Sequence, residues 1–72
     1  MSRGDHIELE GTVREALAGG TFKITLESGH EVLAYLAGKL RRHRIRVVPG
    51  DRVTVALSPY DANRGMIVYR RQ

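Results

Sequence analysis

No cysteine occurs in this chain of 72 residues, which excludes a disulfide framework and a thiolate-bound zinc site. The absence fits a reducing compartment. Long apolar runs are missing too, so no membrane span is expected. The amino terminus lacks the charged-then-apolar pattern of a signal peptide, and the expected location is the cytoplasm. Aromatic residues are scarce, with no tryptophan, one phenylalanine and three tyrosines. A sheet lined with aromatics, as a general binder of single strands presents, is therefore absent. Low-complexity tracts and internal repeats are also lacking. This length allows a single small domain over residues 1–72, stable by roughly 5 kcal/mol, whose core is too thin to enclose a deep catalytic pocket.

Enzyme chemistry finds no support in the residues. His6, His30 and His43 lie near strand or loop ends without metal-ligand spacing. No Ser-His-Asp arrangement and no glycine-loop fingerprint occurs. The reading is a non-enzyme without metal or cofactor.

What the chain has in excess is arginine, ten against two lysines. Its net charge of +4 is also divided unevenly, with −3 over residues 1–38 and +7 over residues 39–72. The densest segment is Lys39-Leu40-Arg41-Arg42-His43-Arg44-Ile45-Arg46, five cations and no acid. Like charges so close repel one another in the free protein and do nothing obvious for folding. A partner that neutralises them, most often a nucleic-acid backbone, gives the arrangement a reason. The planar guanidinium suits bidentate phosphate contacts.

The remaining pattern is that of short strands. Ile7, Leu9, Gly11 and Val13 alternate with polar residues, then Ala18-Gly19-Gly20 interrupts. Phe22, Ile24 and Leu26 mark a second strand, and Ser28-Gly29 reads as a two-residue hairpin turn. Val32, Ala34 and Leu36 occupy one face of a third strand, with Glu31, Leu33 and Tyr35 on the other. The basic connector follows as a helical turn or structured loop, pinned to the core by Leu40 and Ile45. Pro49-Gly50 fits the centre of a type II turn. Val53, Val55 and Leu57 mark a fourth strand, with Arg52, Thr54 and Ala56 outward. Residues 58–65 read as a loop, and Met66 to Arg70 as the fifth strand. Residues 1–5 are expected to be mobile.

Five short antiparallel strands hide their edges most simply by closing into a barrel. An all-β, five-stranded antiparallel OB-fold barrel with a short helical turn or basic loop between strands 3 and 4 is the expected fold. SH3-like or Sm-like barrels are the nearest rivals. The fifth strand is expected to run beside the first, gathering the cations of the connector and the last strand on one surface. Glu8 and Glu10 would then face away from it or toward a basic protein partner. Tyr35 either offers a stacking platform or plugs the barrel end, and Tyr60 either stacks or staples its loop.

Gly-Thr-Val at 11–13, Leu-Glu-Ser-Gly-His at 26–30, Gly-Lys-Leu-Arg at 38–41 and Ile-Arg-Val at 45–47 belong to a wider pattern. It continues with Gly-Asp-Arg-Val-Thr-Val at 50–55, Pro-Tyr-Asp at 59–61 and Arg-Gly-Met-Ile-Val-Tyr-Arg at 64–70. In order and spacing these segments resemble the bacterial translation initiation factor 1 family over essentially the whole chain. The resemblance implies binding to the decoding (A) site of the small (30S) ribosomal subunit, against the 16S rRNA decoding helix and near ribosomal protein S12. It implies that premature tRNA entry is blocked, that initiation factors 2 and 3 are working partners, and that the protein is a monomer off the ribosome. Positions matching the family's rRNA-binding residues are Lys39, Arg41, Arg46, Arg64 and Arg70, with Arg42 close by. Arg44 and Tyr60 are additional candidates. Two positions depart from the pattern, since the family commonly has tyrosine where Arg44 stands and often a basic residue where Met66 stands. A cold-shock-like RNA chaperone and an SH3-like module docking an acidic partner are the alternative readings.

Overall fold

The computed structural model describes residues 7–43 and 46–71. The expectations for residues 1–5, His6, Arg44 and Ile45 lie outside them. The elements are β1 (Ile7–Leu17), a 3₁₀ turn (Ala18–Gly20), β2 (Thr21–Leu26), β3 (Glu31–Leu36), α1 (Gly38–Arg42), β4 (Arg52–Leu57) and β5 (Arg64–Arg71).

The strands close into a barrel in the order β1-β2-β3-β5-β4, with β4 returning to β1. Four ladders are antiparallel, and the fifth, β3 with β5, is parallel. The geometry follows from the chain path. Strand β4 is antiparallel to β1 and β5 to β4, so β5 must point the same way as β3. This corrects two expectations: the barrel is not wholly antiparallel, and β4 rather than β5 lies beside β1. With α1 between β3 and β4, the architecture is an OB-fold.

Alternation along the strands builds the core. Val13, Ile24, Val32, Ala34, Val53, Val55 and Ile67 are almost completely buried. Among the described residues no polar or charged residue is buried, so the interior carries no desolvated charge. Strand β1 departs from its simple reading at both ends. Ile7 and Leu9 are 60% and 37% exposed, because residues 7–10 run beyond the ladder with β2, which begins at Gly11. The strand then continues past Val13 to Leu17 through a bulge at Arg14, between the pairs Val13–Ile24 and Glu15–Lys23.

Three further details differ from expectation. The β2–β3 connection has four residues, 27–30, rather than two: the Leu26 N–H donates to His30 O and the Gly29 N–H to Leu26 O. The second bond closes a β-turn over residues 26–29, whose last residue, Gly29, takes a φ of 95°. Strand β5 begins at Arg64, two residues early, because Leu33 and Ala34 pair with Arg64 and Gly65. Ala56 lies on the outer face, as read, yet is only 6% exposed, between its register partners Glu8 and Met66.

The long β3–β4 connection is anchored at both ends. The Ala37 N–H donates to Ile67 O at 2.9 Å, and Leu40 packs into the core from α1. At the far end Gly50 takes φ of 99°, and the Asp51 N–H donates to Val48 O at 3.1 Å, the bond of a type II turn. That turn docks on the β1 bulge, where the Gly50 N–H donates to Val13 O and the Val13 N–H to Asp51 O. The connector is thus held between two fixed points.

Candidate nucleic-acid interface

Helix α1 is barely more than one turn, which sorts its side chains sharply. Leu40 points into the barrel, while Lys39, Arg41 and Arg42 are exposed. These cations stand at the carbonyl end of the helix, where positive charge is favoured.

From α1 the surface continues across the sheet. Arg41 lines a shallow cleft with Gly19, Gly20, Tyr35 and Leu36. Tyr35 also borders a larger open groove of about 300 Å3, formed with Ala56, Pro59, Arg64 and Met66. The register explains this row, since Tyr35 stands beside Met66 and Met66 beside Ala56. One step along, Arg64 stands beside Leu33 and Leu33 beside Lys23. Arg41, Tyr35, Met66, Arg64 and Lys23 therefore share one continuous outer face, carried by α1, β2, β3 and β5.

Arg64 has a carboxylate neighbour, with Nε 3.6 Å from Asp61 Oδ2, but its side chain is 70% exposed. An ion pair so exposed is worth little and leaves the guanidinium available to another anion. Arg52 behaves differently. Its Nη2 lies 3.5 Å from Glu10 and 2.5 Å from Glu27, tying β4 to β1 and to the β2–β3 turn. That cation is already partnered by acids from the negative half of the chain.

The expected convergence of all the cations on one surface does not occur. Arg64 and Arg70 stand near opposite ends of β5, roughly 20 Å apart at the rise of an extended strand. Arg70 instead donates a hydrogen bond to the backbone carbonyl of Arg46. The candidates thus form two groups: Lys39, Arg41, Arg42 and Arg64 around the Tyr35 face, and Arg46 with Arg70 at the other end of β5. Glu8 pairs with Ala56, which lines the groove, so it stands one strand beyond the groove's edge rather than on the far side of the barrel. Tyr35 is 54% exposed on the outer face and does not plug the barrel. Tyr60 is 94% exposed and does not staple its loop. Lys23 went unread among the site residues. Its outward place on β2 was visible in the alternation, but its nearness to Arg64 depends on which strands are neighbours. Among the described residues no group of three or more His, Asp or Glu side chains could hold a metal ion.

The Arg46–Arg70 contact separates two side chains that look alike in sequence. Arg46→Ala keeps the accepting carbonyl and is expected to leave the melting temperature unchanged. Arg70→Ala removes the donor that holds the connector and should cost about 1 kcal/mol. Thermal unfolding of both variants checks this, and equal melting temperatures would show that the hydrogen bond has no structural weight.

Barrel order, parallel closure and a helical turn between β3 and β4 define the class as a small OB-fold protein with a cationic outer face. The family is shown by comparison with known proteins: the chain belongs to the translation initiation factor 1A / IF-1 family, whose model matches residues 2–72. Its structure is similar to the solution structure of translation initiation factor 1 from the Wolbachia endosymbiont strain TRS of Brugia malayi. The TM-score is 0.78 at 38% identity, over 96% of this chain and 82% of that one. The fold alone is shared with YjeQ from Thermotoga maritima, at TM-score 0.74 and 24% identity over 92% of this chain and 23% of that one. These matches set aside the SH3-like and Sm-like barrels.

Proposed function

We propose that this protein binds the 16S rRNA decoding helix at the A site of the 30S subunit, next to ribosomal protein S12. There it blocks premature tRNA entry and supports initiation factors 2 and 3. It works by occupancy and shape, without catalysis. The observation that carries the reading is the unbroken outer face on which Arg41 and Arg64 flank Tyr35. Guanidinium groups on either side of an aromatic ring suit phosphates on either side of an accessible base or ribose. Membership of an initiation-factor family supports the ribosome as the site of action. Lys39 and Arg42 extend the same face along α1, while Arg46 and Arg70 supply a second contact region on the far side of the connector.

Chemical probing of 30S subunits tests the reading. Decoding-helix nucleotides should be protected by the unaltered protein, and A-site tRNA binding should fall in parallel. Arg41→Glu and Arg64→Glu should each weaken protection, by about 1–3 kcal/mol in binding. Full protection by both variants would place the interface elsewhere on the barrel. Equal affinity for unstructured RNA would mark an RNA chaperone instead.

A further inference from the structure

The β4–β5 loop, residues 58–63, is short, exposed and unusually well tied. The Ser58 N–H donates to Arg64 O at 2.9 Å, and the Arg64 N–H donates to Asp61 O at 3.0 Å. Side chains fix the turns between them: Ser58 Oγ accepts the Tyr60 N–H at 3.1 Å, and Asp61 Oδ1 accepts the Asn63 N–H at 2.9 Å. The loop is also braced from outside. The Leu33 N–H donates to Asn63 O at 2.9 Å, and His30 Nε2 lies 3.2 Å from the Ala62 carbonyl. On this fixed frame Tyr60 stands 94% exposed.

An exposed tyrosine alone signifies nothing, because single apolar side chains on surfaces are common. The combination is informative. Tyr35 and Tyr69 are 54% and 58% exposed and belong to strands, where the sheet sets their direction. Tyr60 has no strand to hold it, yet the backbone on either side is secured by hydrogen bonds. A tyrosine has only two side-chain torsions to freeze, so ordering it on a prepared loop costs little on binding. Its surroundings favour an anionic partner, since the loop leads directly into Arg64 and lies in the half of the chain that carries +7. In OB-folds generally this loop is one of the ligand-contacting elements.

We propose that Tyr60 is a preset stacking finger, whose free ring lies against one accessible nucleobase of the bound RNA, and that His30 is a positioning residue for it. The proposal rests on the reading of this protein as an rRNA binder. The ring supplies contact that carries no charge, so it adds affinity without adding to the salt dependence set by the arginines.

The lack of tryptophan makes the test direct, because Tyr60→Trp gives the chain a single indole fluorophore, and a decoding-helix RNA adds none. On titration with an RNA hairpin of the decoding helix its emission should be quenched, as indole is by a stacked base. Tyr60→Ala should bind roughly 5- to 150-fold more weakly, the loss of one base–aromatic stack. Its slope of log affinity against log salt, its melting temperature and its intact barrel should be unchanged, and Tyr60→Phe should bind like the parent. His30→Ala should weaken binding in the parent but add nothing in the Tyr60→Ala background, which a merely stabilising role for His30 would not produce. A blue shift without quenching would replace the nucleobase by a protein surface and overturn the proposal. Salt-dependent binding by Tyr60→Ala at parental affinity would overturn it while leaving the rRNA reading intact. Failure of the unaltered protein to bind subunits would remove both.

Discussion

Gly65→Val is expected to destroy the folded barrel or to lower its melting temperature far more than any substitution of a surface cation. Gly65 is buried on β5, directly opposite Leu57 of β4. A Cβ atom there would lie 2.7 Å from Val55 Cγ1 and 2.8 Å from the Ala56 carbonyl oxygen. The valine could turn away, but the carbonyl belongs to the ladder and moves only if β4 moves with it. Overpacking of this kind costs about 1–3 kcal/mol, and more where the backbone must shift. Chains of this size hold only roughly 5 kcal/mol in total. Even a loss of about 3 kcal/mol corresponds to roughly 12–24 °C in a domain this small. The matched control is Gly38→Ala in α1, where an added Cβ meets nothing within 4 Å. It should be neutral or stabilising by about 0.4–1 kcal/mol, through lost freedom of the unfolded chain. Differential scanning fluorimetry on the pair decides, and a Gly65→Val melting temperature within a few degrees of the parent would mean that β4 and β5 do not approach so closely.

Raising monovalent salt from about 50 to 200 mM should weaken binding to 30S subunits roughly 100-fold if Lys39, Arg41, Arg42 and Arg64 each neutralise a phosphate, and more steeply if Arg46 and Arg70 do so too. Each such contact contributes about 0.7–0.9 to the slope of log affinity against log salt, so Arg41→Ala should reduce the slope by close to one. Arg52→Ala should leave it unchanged, because Glu10 and Glu27 already partner that cation. Sedimentation of subunits with the bound protein gives both quantities. A flat salt dependence would refute phosphate contact by this face, and a slope that depends on Arg52 as strongly as on Arg41 would refute the assignment of residues.

How much of this was legible in the chain itself depended on the range of the interaction. Strands β2 and β3 and the Pro49-Gly50 turn follow from residues adjacent in sequence, where a period of two or a single glycine carries the information. The buried Leu40 among cations was readable for the same reason. The bulge at Arg14 was not, because one extra residue in a strand leaves no compositional trace. Nor was the parallel β3–β5 ladder, since local pattern says which face of a strand is apolar and nothing about its neighbour. That one pairing explains why the cations do not converge on one surface as expected. Placing β5 beside β1 would gather Arg64 and Arg70 with the connector, whereas its true place beside β3 sets Arg64 next to Lys23 and Tyr35. The initiation-factor family resemblance named candidate basic residues but could not divide them into two groups. The Arg70 bond to a backbone carbonyl, which separates its role from that of Arg46, has no counterpart in any motif.

The order of strands around the barrel also governs how the protein can be made. Closure needs Ile7 to meet Leu57 and Leu33 to meet Arg64, pairings between distant parts of the chain. Only β1–β2, β2–β3 and β4–β5 can form as neighbours in sequence. A nascent chain still missing residues 64–71 has three strands in a row with an unsatisfied edge on β3, and a β4 held on one side alone. Such non-local closure slows folding, because loop entropy is lost before the contacts that compensate it are made. The native barrel therefore cannot close during synthesis before β5 emerges, and until then the open edges of β3 and β4 are exposed to wrong pairing.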